Sequence, residues 1–219
     1  MENEIATKRK ITNIELKKIV GLKSMAYNDY IAARVLLQGG LLHQAVFFIN
    51  TCIEKELKAY LFAFNINVKL NHDTEKLFNE VLKIENVKWT DKINKEFIQV
   101  INKIYKSRYF ETLHPGYNFV INRNKFLVEL DHTYNLLYSK TKLGGPNEMI
   151  QKSIYEISIE NKNPQVVFNN YILNNMDKKH VLNQPDLVHE FRVTDSHAII
   201  EMTYQIQKNE DHENLTTKA

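Results

Sequence analysis

The chain has 219 residues, 43% hydrophobic and 25% charged, with a formal net charge of +3. That length holds one domain, or one plus a small appendage, and the apolar share is enough for a real core. The single cysteine, Cys52, excludes an intramolecular disulfide, and no run approaches the ~18 uninterrupted apolar residues of a membrane span.

The N-terminal residues MENEIATKRK lack the apolar core of a signal peptide, so a cytoplasmic location is expected. The charge is uneven. Residues 1–146 carry 22 Lys and Arg against 15 Asp and Glu, whereas residues 147–219 carry 7 against 11. A basic front half attracts polyanions such as RNA; a solvated helical surface is the plainer account of the same charges.

The first predicted helix opens at Thr12, which with Glu15 makes a capping box. Leu16, Ile19, Leu22, Ala26, Ala33 and Leu37 follow at helical spacing, and Gly39-Gly40 closes the element. The second helix, within residues 41–64, carries Leu42, Ala45, Val46, Ile49, Cys52, Ile53, Leu57, Tyr60, Leu61 and Phe64 on one wide stripe, the mark of a central helix. Cys52 sits on that stripe as a small core residue. Asn65 is the expected stop. A short helix opens at His72-Asp73-Thr74, with Asp73 or Thr74 as its cap. The third long helix is capped by Thr90 or Asp91 and buries Ile93, Phe97, Val100, Ile101 and Ile104. The same spacing reaches Arg108 next, and an arginine on an apolar stripe needs an anionic partner or an edge. Pro115-Gly116 then breaks the chain. A fourth helix runs from about residue 124 to 142, with Phe126, Leu127, Leu130, Tyr134, Leu137 and Tyr138 inward. Leu143-Gly144-Gly145-Pro146 reads as a domain boundary.

The remainder changes character. Residues 153–160 are isoleucine-rich and read as a strand. Asn163-Pro164 starts a helix that continues through residues 166–174. Residues 188–194 and 198–206 are β-prone and suggest a small β-α-β-β unit, or a hairpin packed on the bundle or on a second subunit. Residues 208–219 read as a disordered tail. The expected division is therefore a bundle over 12–143, a small mixed α/β appendage over 147–207 and the tail.

Two stretches carry a resemblance. Residues 41–64 contain Glu54, Lys55, Lys58 and Ala59 in a Glu-Lys-x-x-Lys-Ala element. Residues 105–117 read YKSRYFETLHPGY and place Arg108 and His114 six positions apart at a helix end. Together, over residues 12–143, they resemble the HEPN family, small helical domains common in prokaryotic defence and toxin systems. The His72-Asp73 pair also fits the pattern. The resemblance implies a mainly α fold, an antiparallel four- to five-helix bundle, with the C-terminal appendage added. Catalytic members pair an arginine with a histidine four to six residues on, so it implies a metal-independent endoribonuclease using Arg108 and His114 across a homodimer. Such an enzyme needs no cofactor. A histidine near neutral pKa shuttles the proton between the ribose 2′-hydroxyl and the leaving oxygen, and a guanidinium holds the phosphate. Tyr117 resembles a tyrosine that follows the histidine in toxin members.

One departure points the other way. Catalytic members place a polar residue after the arginine, and here it is Tyr109. Tyr105-x-x-Arg108-Tyr109 resembles the sacsin-like branch, which is thought to bind nucleotides or other anions without cleaving RNA. On that branch Arg108 holds a ligand, with Tyr109 and Tyr117 beside it. Lys58 reads either as a phosphate contact or, with Glu54 four residues before it, as a helix-surface ion pair. The partners implied are a second copy, RNA or a nucleotide, and an antitoxin or other protein. The eight histidines show no metal-ligand spacing, and no phosphate-loop or dinucleotide glycine motif is present.

Overall fold

The structure is a computed structural model that describes residues 12–66, 72–84, 88–109, 111, 113–141 and 152–207. The boundary expected at 143–146 and the tail over 208–219 lie outside these residues.

Helix α1 spans Asn13–Gln38 behind a complete Thr12–Glu15 capping box. Gly40 adopts a left-handed backbone (φ 83°) that a side chain resists, and the chain turns directly into α2, Leu42–Ala63. Helix α2 is buried on nearly every side, with Ala45, Ile49, Cys52, Ile53 and Leu57 fully inside. It touches α1, the helices α3 (Thr74–Leu82), α4 (Lys95–Lys106) and α5 (Arg123–Lys140), and the sheet described below. The wide stripe thus makes it the central helix. Asp73 caps α3 by accepting from the Lys76 amide at 3.1 Å. The cap of α4 is Asn94, which accepts from the Phe97 amide. Thr90 and Asp91 instead lie in a 3-10 turn over Lys88–Lys92, because the chain needs that extra turn to bury Thr90 before α4 begins.

The C-terminal part holds α6 (Ile154–Glu160), α7 (Pro164–Val167), α8 (Lys178–Leu182) and a hairpin of β2 (Asp186–Val193) and β3 (Ile199–Ile206). The strand expected over 153–160 is a helix. Ser153 and Glu156 form a second capping box, and Tyr155 is buried in an aromatic cluster with Tyr27, Tyr30, Tyr134 and Tyr138. Start signal and packing together override the β preference of isoleucine. The helix expected through 174 ends at Val167, since Asn170 turns inward to bond the Tyr30 hydroxyl and the Val166 carbonyl.

A strand not foreseen, β1 (Asn118–Asn122), precedes α5 and pairs antiparallel with β2. The sheet order is β1-β2-β3, with Phe119 opposite Phe191 and His189 opposite Thr203. The hairpin therefore packs on the bundle through β1. One face of β1 and β2 (Phe119, Ile121, Phe191, Val193) joins the core, whereas residues 199–205 of β3 are exposed on both faces. The fold is mainly helical, with this small three-stranded antiparallel sheet beside the bundle.

Candidate functional site

Arg108 does not continue the apolar stripe of α4. The helix ends at Lys106, Ser107 is its C-cap, and Arg108 lies exposed in the following turn. An edge position removes the cost of burying a guanidinium. Its guanidinium carbon lies 3.6 Å from the centre of the Tyr105 ring and 5.2 Å from that of Tyr109, and one Nη donates to the Tyr109 hydroxyl at 2.9 Å. Stacking and the hydrogen bond to Tyr109 orient the fork. Among the described residues no carboxylate pairs with it, Glu111 included. Tyr105 is buried, and burial raises its phenol pKa against the opposing pull of Arg108.

His114 is also exposed. Its Nδ1 lies 3.0 Å from the Pro115 carbonyl, which only accepts, so Nδ1 carries the proton and Nε2 is the free ring nitrogen. The ring meets Tyr117 edge-on at 5.9 Å. Tyr117 is buried, donates to the Lys103 carbonyl at 2.6 Å, and has its pKa pushed up by burial to about 12. So it supports the turn and α4 rather than offering a free hydroxyl. Within one chain no hydrogen bond or ring contact joins Arg108 to His114; each has its own tyrosine footing on α4.

Lys58 is buried, with its ammonium 2.5 Å from Glu54. The ion pair read from their spacing is present, inside the protein rather than on its surface. The Glu54 carboxylate also receives His72 Nδ1 at 3.2 Å, and the His72 ring lies 6.4 Å from Tyr105. Glu54, Lys58, His72, Tyr105 and Arg108 thus follow one another around the end of α4. His72 was not among the expected site residues. The His72-Asp73 pair fitted the family pattern as well as a cap, but nothing local shows that α2 brings Glu54 to His72.

A second group missed from sequence stands behind the turn. Ser107 gives its hydroxyl proton to the Ile104 carbonyl at 2.6 Å, so His43 Nε2, 2.9 Å away, donates to Ser107. The His43 and His189 rings lie 5.7 Å apart. Burial, and then His189, lower the His43 pKa to about 4. His43 is thus a neutral donor fixing the residue before Arg108. The last turn of α4 adds Lys103 and Lys106, favourable cations at a helix C-terminus, so the Arg108 side is basic. Among the described residues no group of three or more potential ligands is arranged for a metal.

A family model described as HEPN domain matches residues 20–119. That stretch includes Glu54, Lys58, His72, Arg108, His114 and Tyr117 and ends inside β1, so this part of the chain is similar to a HEPN domain. Searches of curated proteins and of solved structures each found no match. Among the described residues no helix is long and apolar enough to cross a membrane.

Proposed function

We propose that this HEPN-like domain binds a phosphate of RNA or of a nucleotide at the Arg108 turn, as a module of the prokaryotic defence or toxin type working in the cytoplasm. The observation that supports it is the Arg108 guanidinium. It is exposed, oriented by Tyr105 and Tyr109, and unpaired with any carboxylate among the described residues. Fork geometry suits bidentate phosphate recognition. Tyr109, 47% exposed, offers a ring face beside it. Lys58 would reach the anion only by leaving Glu54, so its part is secondary. The reading includes a homodimer with its seam beside α4 and the Arg108–Tyr117 turn, and an antitoxin or other protein as regulator. Fluorescence anisotropy with labelled single-stranded RNA and with a labelled nucleotide tests it. Arg108→Ala should abolish binding of at least one probe, and binding should weaken as salt rises. Unchanged binding of both probes by Arg108→Ala would sink the proposal.

A second reading, a metal-independent endoribonuclease, is favoured by the free Nε2 of an exposed histidine. Here His114 and Arg108 act from the two copies of a dimer. His114→Ala and Arg108→Ala should each abolish nicking of single-stranded RNA in a chelator while wild type stays active. No nicking by wild type leaves the binding module alone.

A further inference from the structure

The sheet has an outer face that the bundle does not cover. It carries Asn118 and Val120 of β1, Glu190 and Arg192 of β2, and Ile200 and Met202 of β3, and these line a groove of about 500 Å³. Ile200 and Met202 keep 40% and 51% of their surface exposed. Antiparallel register sets these residues in two rows: Val120, Glu190 and Met202 abreast, then Asn118, Arg192 and Ile200 abreast. Directly opposed residues share a face, so each row runs across the sheet at one level.

The two rows are complementary to each other under a two-fold operation. Consider an axis lying in the plane between two facing sheets, perpendicular to the strands and level with Phe191. It carries each row of one copy onto the other row of its partner. Glu190 then faces the partner's Arg192, Arg192 faces the partner's Glu190, and Met202 faces the partner's Ile200 on both sides. An isologous interface demands such self-matching, with residue i meeting j and j meeting i. Two further features agree. The Arg192 side chain is exposed and has no hydrogen bond or ion pair among the described residues, whereas Glu190 is held by the Tyr204 hydroxyl at 2.5 Å. And β3 is an eight-residue edge strand whose one charge is Glu201, lacking the lysines, prolines and bulges that keep exposed strands solitary.

We infer that a second copy of this chain docks on the outer face of the sheet, the two sheets packed face to face with two reciprocal Glu190–Arg192 ion pairs over β2 and two Ile200–Met202 contacts beside them over β3. This rests on the homodimer in the functional reading and moves its seam onto the sheet. The turn stays close to it. Gly116 donates to the Val193 carbonyl and Val193 to the Tyr117 carbonyl, so the groove begins one residue past Tyr117.

Charge reversal tests it on the full-length protein. Light scattering at micromolar concentration should give wild type as a dimer. Glu190→Arg sets arginines against each other twice and Arg192→Glu does the same with glutamates, so each should run as a monomer. Mixing those two variants should restore a dimer, a heterodimer of one of each. The doubly swapped protein Glu190→Arg/Arg192→Glu should dimerise alone. Met202→Asp should be monomeric without rescue by either. Circular dichroism on every variant confirms that the fold persists. A dimer indifferent to both single reversals overturns the sheet seam and leaves the homodimer reading standing. A monomeric wild type overturns both. Two monomeric variants that fail to combine also overturn the inference. Arg108-dependent anion binding is read separately on the same samples.

Discussion

At the scale of single residues, the structure separates charged side chains that were alike in the sequence. Arg108 and Arg34 both follow apolar helical spacing. Arg34 is fully buried on Asp131, and Arg108 is exposed on two tyrosine rings. The difference is position: α1 continues past Arg34, but α4 ends before Arg108. Histidines divide in the same way. His114 is an exposed imidazole with one ring nitrogen bonded to the Pro115 carbonyl, while His43 is a neutral donor inside a ring of aromatic side chains, Phe47, Phe119 and Phe191. The latter has a consequence for pH dependence. The folded pKa of His43 is about 4 against an ordinary 6.5, so between those values the unfolded chain binds the extra proton. Stability therefore rises with pH across that window and is lost as pH falls through it. His189, lowered by burial, acts in the same direction. His43→Gln retains an N–H for Ser107 and does not titrate. Its melting temperature should fall less steeply than wild type between pH 7 and pH 4 in calorimetry. Equal slopes would mean another group governs that limb.

At the scale of elements, start signals proved more informative than composition. Thr12, Asp73 and Asn163 each cap the helix that follows. Ser153 does so as well, against an isoleucine-rich run that resembles a strand. Its hydroxyl accepts from the Glu156 amide at 3.2 Å, and it also bonds the Tyr138 hydroxyl. Ser153→Ala should cost about 1 kcal/mol, the usual loss on removing a cap, read as a shift in the urea midpoint at unchanged slope. A neutral result would mean that Tyr155 packing alone holds α6. The strand β1 shows the opposite limit. Its five residues alternate between half-buried and buried, too short a pattern to stand out between a Pro-Gly turn and a helix. It becomes a strand because β2, sixty-odd residues later, supplies the pairing register.

At the scale of the whole molecule, the C-terminal part completes the bundle's polar interior. Arg34 of α1 pairs with Asp131 of α5 and donates to the carbonyls of Gln165 and Phe168. The Tyr30 hydroxyl donates to the same carboxylate and accepts from Asn170. Asp186 takes the amide at the start of α5 from Asn124, and Lys178 reaches Glu129. Asp131→Ala would leave the Arg34 charge buried without its counter-ion, at a cost of about 3–5 kcal/mol. Chemical denaturation should show that loss, and a change under about 1 kcal/mol would mean that the carbonyls of Gln165 and Phe168 suffice.

The sequence by itself determined what depends on near neighbours along the chain. Helical spacing laid out α1, α2, α4 and α5, the Thr12 cap and the Gly39-Gly40 pair set the ends of α1, and the Arg108 to His114 segment marked the turn. These signals are local, since a helix satisfies its own backbone and displays its buried face every three or four residues. What only the tertiary structure decided is non-local. Strand β1 exists through β2, His72 reaches Glu54 through the packing of α2, Arg34 and Asp131 meet across nearly a hundred residues, and Glu190 and Arg192 share a groove with Ile200 and Met202 through the register of three strands. Each of these requires knowing which distant segment lies alongside, and that is settled by burial and hydrogen-bond pairing over the whole chain.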